Sequence, residues 1–282
     1  MPGVLTEQSQ PPRIIVVMPA YNAAKTIEKT HGDLPKDVID RVIVVDDGSQ
    51  DQTTDIARKL GLEVVVHVQN RGYGGNQKTC YIEALMAGAD VVVMVHPDNQ
   101  YDASRVPAMV RPILDGQADM VMGSRLLGGR SATLAGGMPL WKYVSNRFLT
   151  SVENAAFRTK LSEGHTGFRA YSRRLLTTIP FLLNSDDFVF DAEIIAQAVA
   201  FGFTIAEVPV PTRYFPEASS TTFKQSVRYG FGTLNVARKF ALDRAGVKRS
   251  PLFRQQLSKV VSREYHQRIF GAPDPVASNE AV

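Results

Sequence analysis

Five short β-branched apolar runs, at 13–18, 41–45, 63–68, 91–95 and 120–123, are separated by stretches of helical period near 24–33, 53–60, 77–87 and 104–114. Unbroken apolar strands alternating with helices predict a mostly parallel sheet with helices on both faces. Ligands bind such a sheet beyond the carboxyl ends of its strands. Five polar loops therefore gather on one edge: PAYNA at 19–23, DDGSQD at 46–51, QNRGYGGN at 69–76, HPDNQY at 96–101 and SRLLGGR at 124–130. The second half is less regular, with an expected helix over 141–157, the stretch EGHTGFRAYSRR at 163–174, a helix over 191–200 and a strand over 204–208.

The 282 residues, 44% hydrophobic and 21% charged, are enough for a substantial core and exclude collagen-like and wholly disordered classes. A single cysteine, Cys80, excludes an internal disulfide and fits packing in a reducing compartment. No apolar run approaches the roughly 18 residues of a membrane span. Residues 1–12 are polar and proline-bearing, unlike a signal peptide, so the chain is expected neither to span a membrane nor to be exported. The charge of +4 is unevenly spread: from Phe223 to Phe270 there are eleven Lys or Arg against Asp243 and Glu264. A basic tail on an acidic body points to an anionic partner, membrane surface or nucleic acid, with a solvated helical face as the plainer alternative.

The edge loops hold the chemistry. Asp46 and Asp47 emerge at the end of a strand, where turn and helix-cap duties compete with ligand binding. Asp98, with His96, Asn99 and Gln100, supplies hard ligands suited to Mg2+ or Mn2+ on a substrate phosphate. His96 also fits a phosphate donor or a packed loop residue. The amides of the glycine-rich loop 71–75 are placed to approach a phosphate or sugar at a helix start, although the spacing is neither a P-loop nor a dinucleotide fingerprint. Arg125 and Arg213 are candidate clamps for phosphate oxygens, or surface ion-pair partners. No nucleophile and base constellation is visible, which disfavours triad hydrolysis. The set suits catalysis by positioning and by neutralising a leaving diphosphate.

The ordered series PAYNA, VVVDDGSQDQT, QNRGYGGN, HPDNQY, GSR, HTGFRAYSR and FDAEIIAQA resembles the inverting family 2 glycosyltransferases of GT-A fold, closest to the polyprenyl-phosphate (dolichyl-phosphate) sugar synthases, over about 13–224. The resemblance implies a Rossmann-like α/β domain. It implies that Pro19, Tyr21, Asp46 and Asp47 hold the base and ribose of a nucleotide-sugar, with Ala20, Asn22, Gly72, Gly75, Asn76 and Pro97 completing that site. Asp98 and Gln100 would hold a divalent cation, with His96 as a further donor, and Arg125 and Arg213 would face the phosphates. His96 and Pro97 stand where the family carries Asp-Ala before the second Asp, Ala23 replaces the usual Glu, and Lys224 is the nearest match to a Lys expected after the second Arg.

The implied organisation is a disordered 1–12, a catalytic domain over 13–222, a basic amphipathic helical segment over 223–270 and a disordered tail over 271–282. The implied reaction is a single inverting displacement that moves a hexose from a GDP- or UDP-sugar. A polyprenyl phosphate acceptor is already an anion and needs no base. A hydroxyl on a glycan or small molecule would need one, with Asp187, Asp191 or Glu163 the candidates and a helix cap the plainer use of Asp187. Phe223, Val227, Phe231, Leu234 and Ala241 recur at helical spacing among basic residues. Such a helix suits a membrane interface, packing on the catalytic domain, or a homodimer partner. The expected location is cytoplasmic and peripheral on that face of the membrane. A catalytically silent nucleotide-sugar-binding scaffold is the competing class; no nucleic-acid recognition motif is present, so no nucleic-acid partner is expected.

Overall fold

The computed structural model describes residues 11–129, 137–212 and 223–271. Seven strands, β1 (Ile14–Ala20), β2 (Arg41–Asp46), β3 (Glu63–Val66), β4 (Val91–Met94), β5 (Met120–Ser124), β6 (Arg169–Ser172) and β7 (Ile205–Pro209), form one sheet in the order β3-β2-β1-β4-β6-β5-β7. All pairings are parallel except those of β6, which runs antiparallel to both β4 and β5. The α-helices are α1 (Ile27–Gly32), α2 (Thr53–Lys59), α3 (Tyr73–Met86), α4 (Val106–Leu114), α5 (Leu140–Phe157), α6 (Arg173–Thr178), α7 (Phe190–Ala200), α8 (Phe223–Arg244) and α9 (Arg263–Phe270).

Side chains alternate across β1, so its two faces feed two cores. Ile15 and Val17 join Tyr81 and Leu85 of α3, Ile194 of α7 and Phe240 of α8. Ile14, Val16 and Met18 join Ile27 of α1, Ala57 of α2 and Met109 of α4. The basic tail is therefore part of the fold: Val236, Ala237 and Phe240 are buried in the first core with Leu252, Phe253, Leu257 and Ile269.

One strand was not anticipated and two element bounds are corrected. The stretch at 163–174 contains β6, whose four residues wedge between β4 and β5 and carry Arg169 into the sheet. β3 stops at Val66, because His67 turns inward while Val68 is fully exposed. α3 begins at Tyr73, four residues before the expected start, taking Gly74 and Gly75 into its first turn. Glycine is required there by close approach: a Cβ on Gly74 would run into the Ser185 carbonyl oxygen, and one on Gly75 would lie 2.9 Å from Cβ of Arg71.

Candidate active site

At the carboxyl edge of the sheet, the strand-end loops enclose a cavity of about 930 Å³, ample for a nucleotide-sized ligand. Its first wall is built from the PAYNA and DDGSQD loops. Asn22 adopts a left-handed φ of 51°, which asparagine tolerates. Its amide donates to Ser49 Oγ at 2.8 Å and its side-chain oxygen accepts from the Gln50 amide at 2.8 Å. Pro19, Ala20 and Asn22 line the cavity, with Tyr21 exposed at its rim.

The two adjacent aspartates serve the loops directly. Asp46 accepts from the Ser49 amide at 3.0 Å and the Ser49 hydroxyl at 2.5 Å, and does not line the cavity. Asp47 does line it, but its carboxylate accepts from the Arg71 and Gly72 amides at 2.8 and 3.0 Å and meets His67 Nδ1 at 2.7 Å. The glycine-rich loop is thus held by Asp47 on one side. On the other, the Gly74 and Gly75 amides donate to the Asp186 carbonyl at 2.8 and 3.3 Å. These amides are committed within the protein, and Gly75 does not reach the cavity, whereas Gly72 and Asn76 do. Asn76 ties the ends of β1 and β2 together by donating to the Val45 carbonyl at 3.0 Å and that of Ala20 at 3.4 Å.

His96, Pro97, Asp98 and Gln100 form the next wall. The Gln100 amide donates to Asp98 Oδ1 at 3.0 Å, and Asn99 takes a left-handed φ of 55° that allows this tight turn. Burial raises the Asp98 carboxyl above its ordinary range, against the pull of His96, and lowers the imidazole of His96. No group of three or more His, Cys, Asp or Glu side chains suited to a metal exists among the described residues. One carboxylate beside an imidazole and an amide fits a hard cation that draws its remaining ligands from phosphate oxygens and water. It does not fit a closed all-protein site.

Beneath this wall lies a charge network. Tyr73 stacks between His96 and Phe188, with ring centroids 5.5 and 4.6 Å away, and its hydroxyl donates to Asp191 Oδ2 at 2.9 Å. Asp191 lines the cavity but is paired to Arg169, 3.3 Å away and with no exposed surface. Arg125 lines the cavity too, yet its guanidinium is paired with Glu163 and donates to the His165 carbonyl at 2.7 Å. Burial alone would raise Glu163; the Arg125 pair outweighs it and holds the carboxyl below its usual range. Glu163 is fully buried and absent from the cavity wall, so its expected role as a base is corrected to that of an Arg125 partner. Asp187 lines the cavity, accepts from the Phe188 amide at 2.8 Å and pairs with Arg228 at 3.4 Å. Arg213 lies outside the described residues.

The far end was not anticipated from sequence. Trp141, Lys142, Ser145 and Leu149 of α5, with His165 and Tyr229, close the cavity there. Lys142 makes no ion pair with any described residue, and burial together with neighbouring Arg125 lowers its ammonium below the ordinary lysine range. The helical period across 141–157 contained this wall, but nothing in the period distinguishes a turn facing a cavity from one facing water.

A family description, glycosyl transferase family 2, matches residues 15–179. A dolichyl-phosphate hexose transferase of Haloferax volcanii is 32% identical over 203 residues, 71% of this chain and 82% of that protein. A UDP-N-acetylglucosamine--dolichyl-phosphate N-acetylglucosaminyltransferase of Methanococcus voltae is 28% identical over 218 residues, 71% of this chain and 86% of that one. Among solved structures, glucosyl-3-phosphoglycerate synthase of Mycobacterium tuberculosis with Mg2+ and uridine diphosphate superposes with a TM-score of 0.62 at 23% identity, covering 84% of this chain and 80% of that one. The sheet order with its strand-end cavity and the family match agree: the chain is a glycosyltransferase of GT-A fold and belongs to glycosyl transferase family 2.

Proposed function

We propose that the enzyme transfers a hexose, mannose or glucose, from a GDP- or UDP-sugar to polyprenyl phosphate at the cytoplasmic face of a membrane. The observation that carries this reading is the far end of the cavity. There Lys142 and Ser145 line the interior, while Leu140, Val144 and Phe148 on the same helix face outward, exposed. A cation with no ion pair among the described residues, held 5.6 Å over the Trp141 ring, next to an apolar ridge suits an acceptor that is a phosphate on a hydrocarbon chain. The relatives named as dolichyl-phosphate transferases support the same acceptor class.

In this reading the nucleotide lies against the PAYNA wall and its diphosphate beside Asp98. Asp98, His96 and Gln100 are the residues that would hold Mg2+ or Mn2+, which when bound neutralises charge on the departing diphosphate. An acceptor phosphate oxygen attacks the anomeric carbon, and the bond to the diphosphate breaks with its electrons going to the leaving group. No proton need be removed. This agrees with the buried and paired state of Glu163 and Asp191.

The test is transfer of radiolabelled sugar from a panel of nucleotide donors, with and without Mn2+, followed by extraction into organic solvent. Label is expected in the organic phase only when polyprenyl phosphate is present. Asp98→Ala is expected to lower metal-dependent turnover at least a hundredfold, whereas His96→Asp retains metal dependence. Donor hydrolysis or transfer to a water-soluble acceptor, with an unlabelled organic phase, would refute the lipid acceptor.

A further inference from the structure

Glu153 of α5 is 3% exposed, and no hydrogen-bond donor reaches either of its carboxylate oxygens. Its nearest partner is His165, whose Nε2 stands 3.3 Å from Oε2 and is itself without another partner. The other ring nitrogen, Nδ1, lies 2.6 Å from the Tyr229 hydroxyl. His165 and Tyr229 line the cavity at the end where Lys142 lies; Glu153 stands behind them. The three residues form one line from the buried side of α5 to the cavity surface.

The surrounding charges leave Glu153 no cation. Arg125, from the loop after β5, is taken by Glu163, and Arg169 of β6 by Asp191 at the start of α7. A carboxylate buried without donors or a counter-ion is strongly disfavoured, so this geometry favours the protonated acid. Burial pushes Glu153 up to about 8, with Arg169 opposing the rise and Asp191 adding to it. Burial holds His165 down to about 4, so the ring carries a single proton at neutral pH. Burial also raises Tyr229 well above the usual phenol range, so its hydroxyl keeps its hydrogen.

We propose that protonated Glu153 and neutral His165 form a relay that turns the Tyr229 hydroxyl hydrogen into the cavity, where it donates to a phosphate oxygen of the acceptor, and that loss of the Glu153 proton reverses the relay. With the acid protonated, Glu153 donates to Nε2, the Nδ1 hydrogen donates to the Tyr229 oxygen, and the phenolic hydrogen is left for the Thr233 hydroxyl beside it or for the cavity, where a charged phosphate oxygen is the stronger acceptor. With the proton gone to solvent, the imidazole hydrogen moves to Nε2 and faces the carboxylate. Nδ1 then accepts from Tyr229, which presents only lone pairs to the acceptor. One proton leaves and the ring proton changes nitrogen; no other bond changes. Tyr229 is thus a specificity-determining contact for an anionic acceptor, and Glu153 and His165 are positioning residues. The inference rests on the anionic-acceptor reading above.

The experiment measures KM for polyprenyl phosphate and kcat at pH 7 and pH 9 for the wild-type enzyme, Glu153→Gln and Tyr229→Phe. Wild-type KM is expected to rise about tenfold over this interval, the loss of one hydrogen bond to a charged group, with kcat changing less than threefold. The Gln amide donates to Nε2 at any pH, so E153Q should have the same KM at both pH values within twofold. Y229F should start with a raised KM and show no slope. A slope that persists in E153Q belongs to another group of the cavity, such as Lys142, and overturns the relay. A carbon NMR titration of the Glu153 carboxyl, assigned by its loss in E153Q, is the second arm. Titration below pH 6 overturns the inference whether or not E153Q folds well. If no sugar reaches polyprenyl phosphate at any pH, the proposed acceptor fails, and the titration alone judges the relay.

Discussion

Arg169 holds its charge with no solvent exposure because four acceptors surround it: the carbonyls of Thr166, Gly164 and Asp191 at 2.7, 3.2 and 3.1 Å, and the Asp191 carboxylate. Burial opposes its charge, but Asp191 together with Tyr171, Tyr73 and Tyr81 outweighs burial and keeps the guanidinium protonated. Arg169→Met would strand Asp191 among apolar and neutral groups, so a loss of about 3 to 5 kcal/mol in urea denaturation is expected. Adding Asp191→Asn should recover part of it. Glu153 and His165 make a pH prediction of the opposite kind. The folded Glu153 value, about 8, lies above its unfolded one, so its contribution favours folding at low pH and is lost as pH rises toward 8. The folded His165 value, about 4, lies below its unfolded one, so stability is lost as pH falls from about 6.5 toward 4. The slopes oppose one another between pH 5 and 6.5 and leave Glu153 alone above it. Wild-type stability should therefore fall by about 2 kcal/mol between pH 6.5 and 8, and E153Q should lack that fall. A flat wild-type profile across this interval would contradict the buried, uncompensated acid. Asp98 and Arg125 were legible in the sequence because each follows an apolar strand at a predictable edge. Arg169 and Glu153 were not, since their partners lie on other elements and only the assembled sheet brings them together.

At the level of elements, the Rossmann-like half was readable because each strand is wholly apolar and each loop strongly polar. β6 escaped notice because it is four residues long, Arg-Ala-Tyr-Ser, with an arginine at a position buried by the sheet. Period alone cannot identify a strand that short. The start of α3 escaped for a different reason. Glycine disfavours a helix interior, which favours a loop over 71–75. Tertiary contact overrides it, since the first turn of α3 slides under the carbonyls of Ser185 and Asp186 and tolerates no Cβ. Lys78 strengthens the junction by pairing with Asp186 Oδ1 at 2.7 Å. Gly74→Ala should therefore destabilise the protein by about 1 to 3 kcal/mol despite alanine's higher helix preference. It should also weaken nucleotide binding, because the same segment positions Tyr73 and Asn76 on the cavity wall. Alanine at Gly32, which meets no atom within 4 Å, is the control that should preserve both. Stabilisation by Gly74→Ala, read from the urea midpoint, would mean that propensity and not packing governs this turn.

For the whole molecule, the basic tail suggests contact with an anionic surface, and the structure places a second helix beside it that offers apolar side chains to the same contact. Of the sequence stripe at Phe223, Val227, Phe231, Leu234 and Ala241, Val227, Phe231 and Ala241 are exposed and Leu234 is half-buried, while the Phe223 side chain lies outside the described residues; Val236, Ala237 and Phe240, off the stripe, anchor the helix in the core. Exposed apolar side chains also stand on α5, where Leu140, Val144 and Phe148 recur every four residues. Phe148 is 61% exposed and Phe231 71%, with Arg147 and Arg228 beside them on the same helices. Among the described residues no helix is long and apolar enough to cross a membrane. The exposed Phe148 and Phe231 beside arginines suit an interfacial contact with lipid. Flotation with vesicles of phosphatidylglycerol and phosphatidylcholine tests this. The wild-type protein is expected to float at low salt and to be largely released near 1 M salt, because screening removes the basic contribution. Burial of one large apolar side chain is worth about 1.5 to 3 kcal/mol, so Phe148→Ser and Phe231→Ser should each lower vesicle affinity roughly tenfold and act together more strongly. Nucleotide binding in solution should survive both changes, since neither side chain lines the cavity. Flotation unaffected by the double variant would move the lipid contact to another face, and with it the route by which a lipid phosphate could reach Lys142.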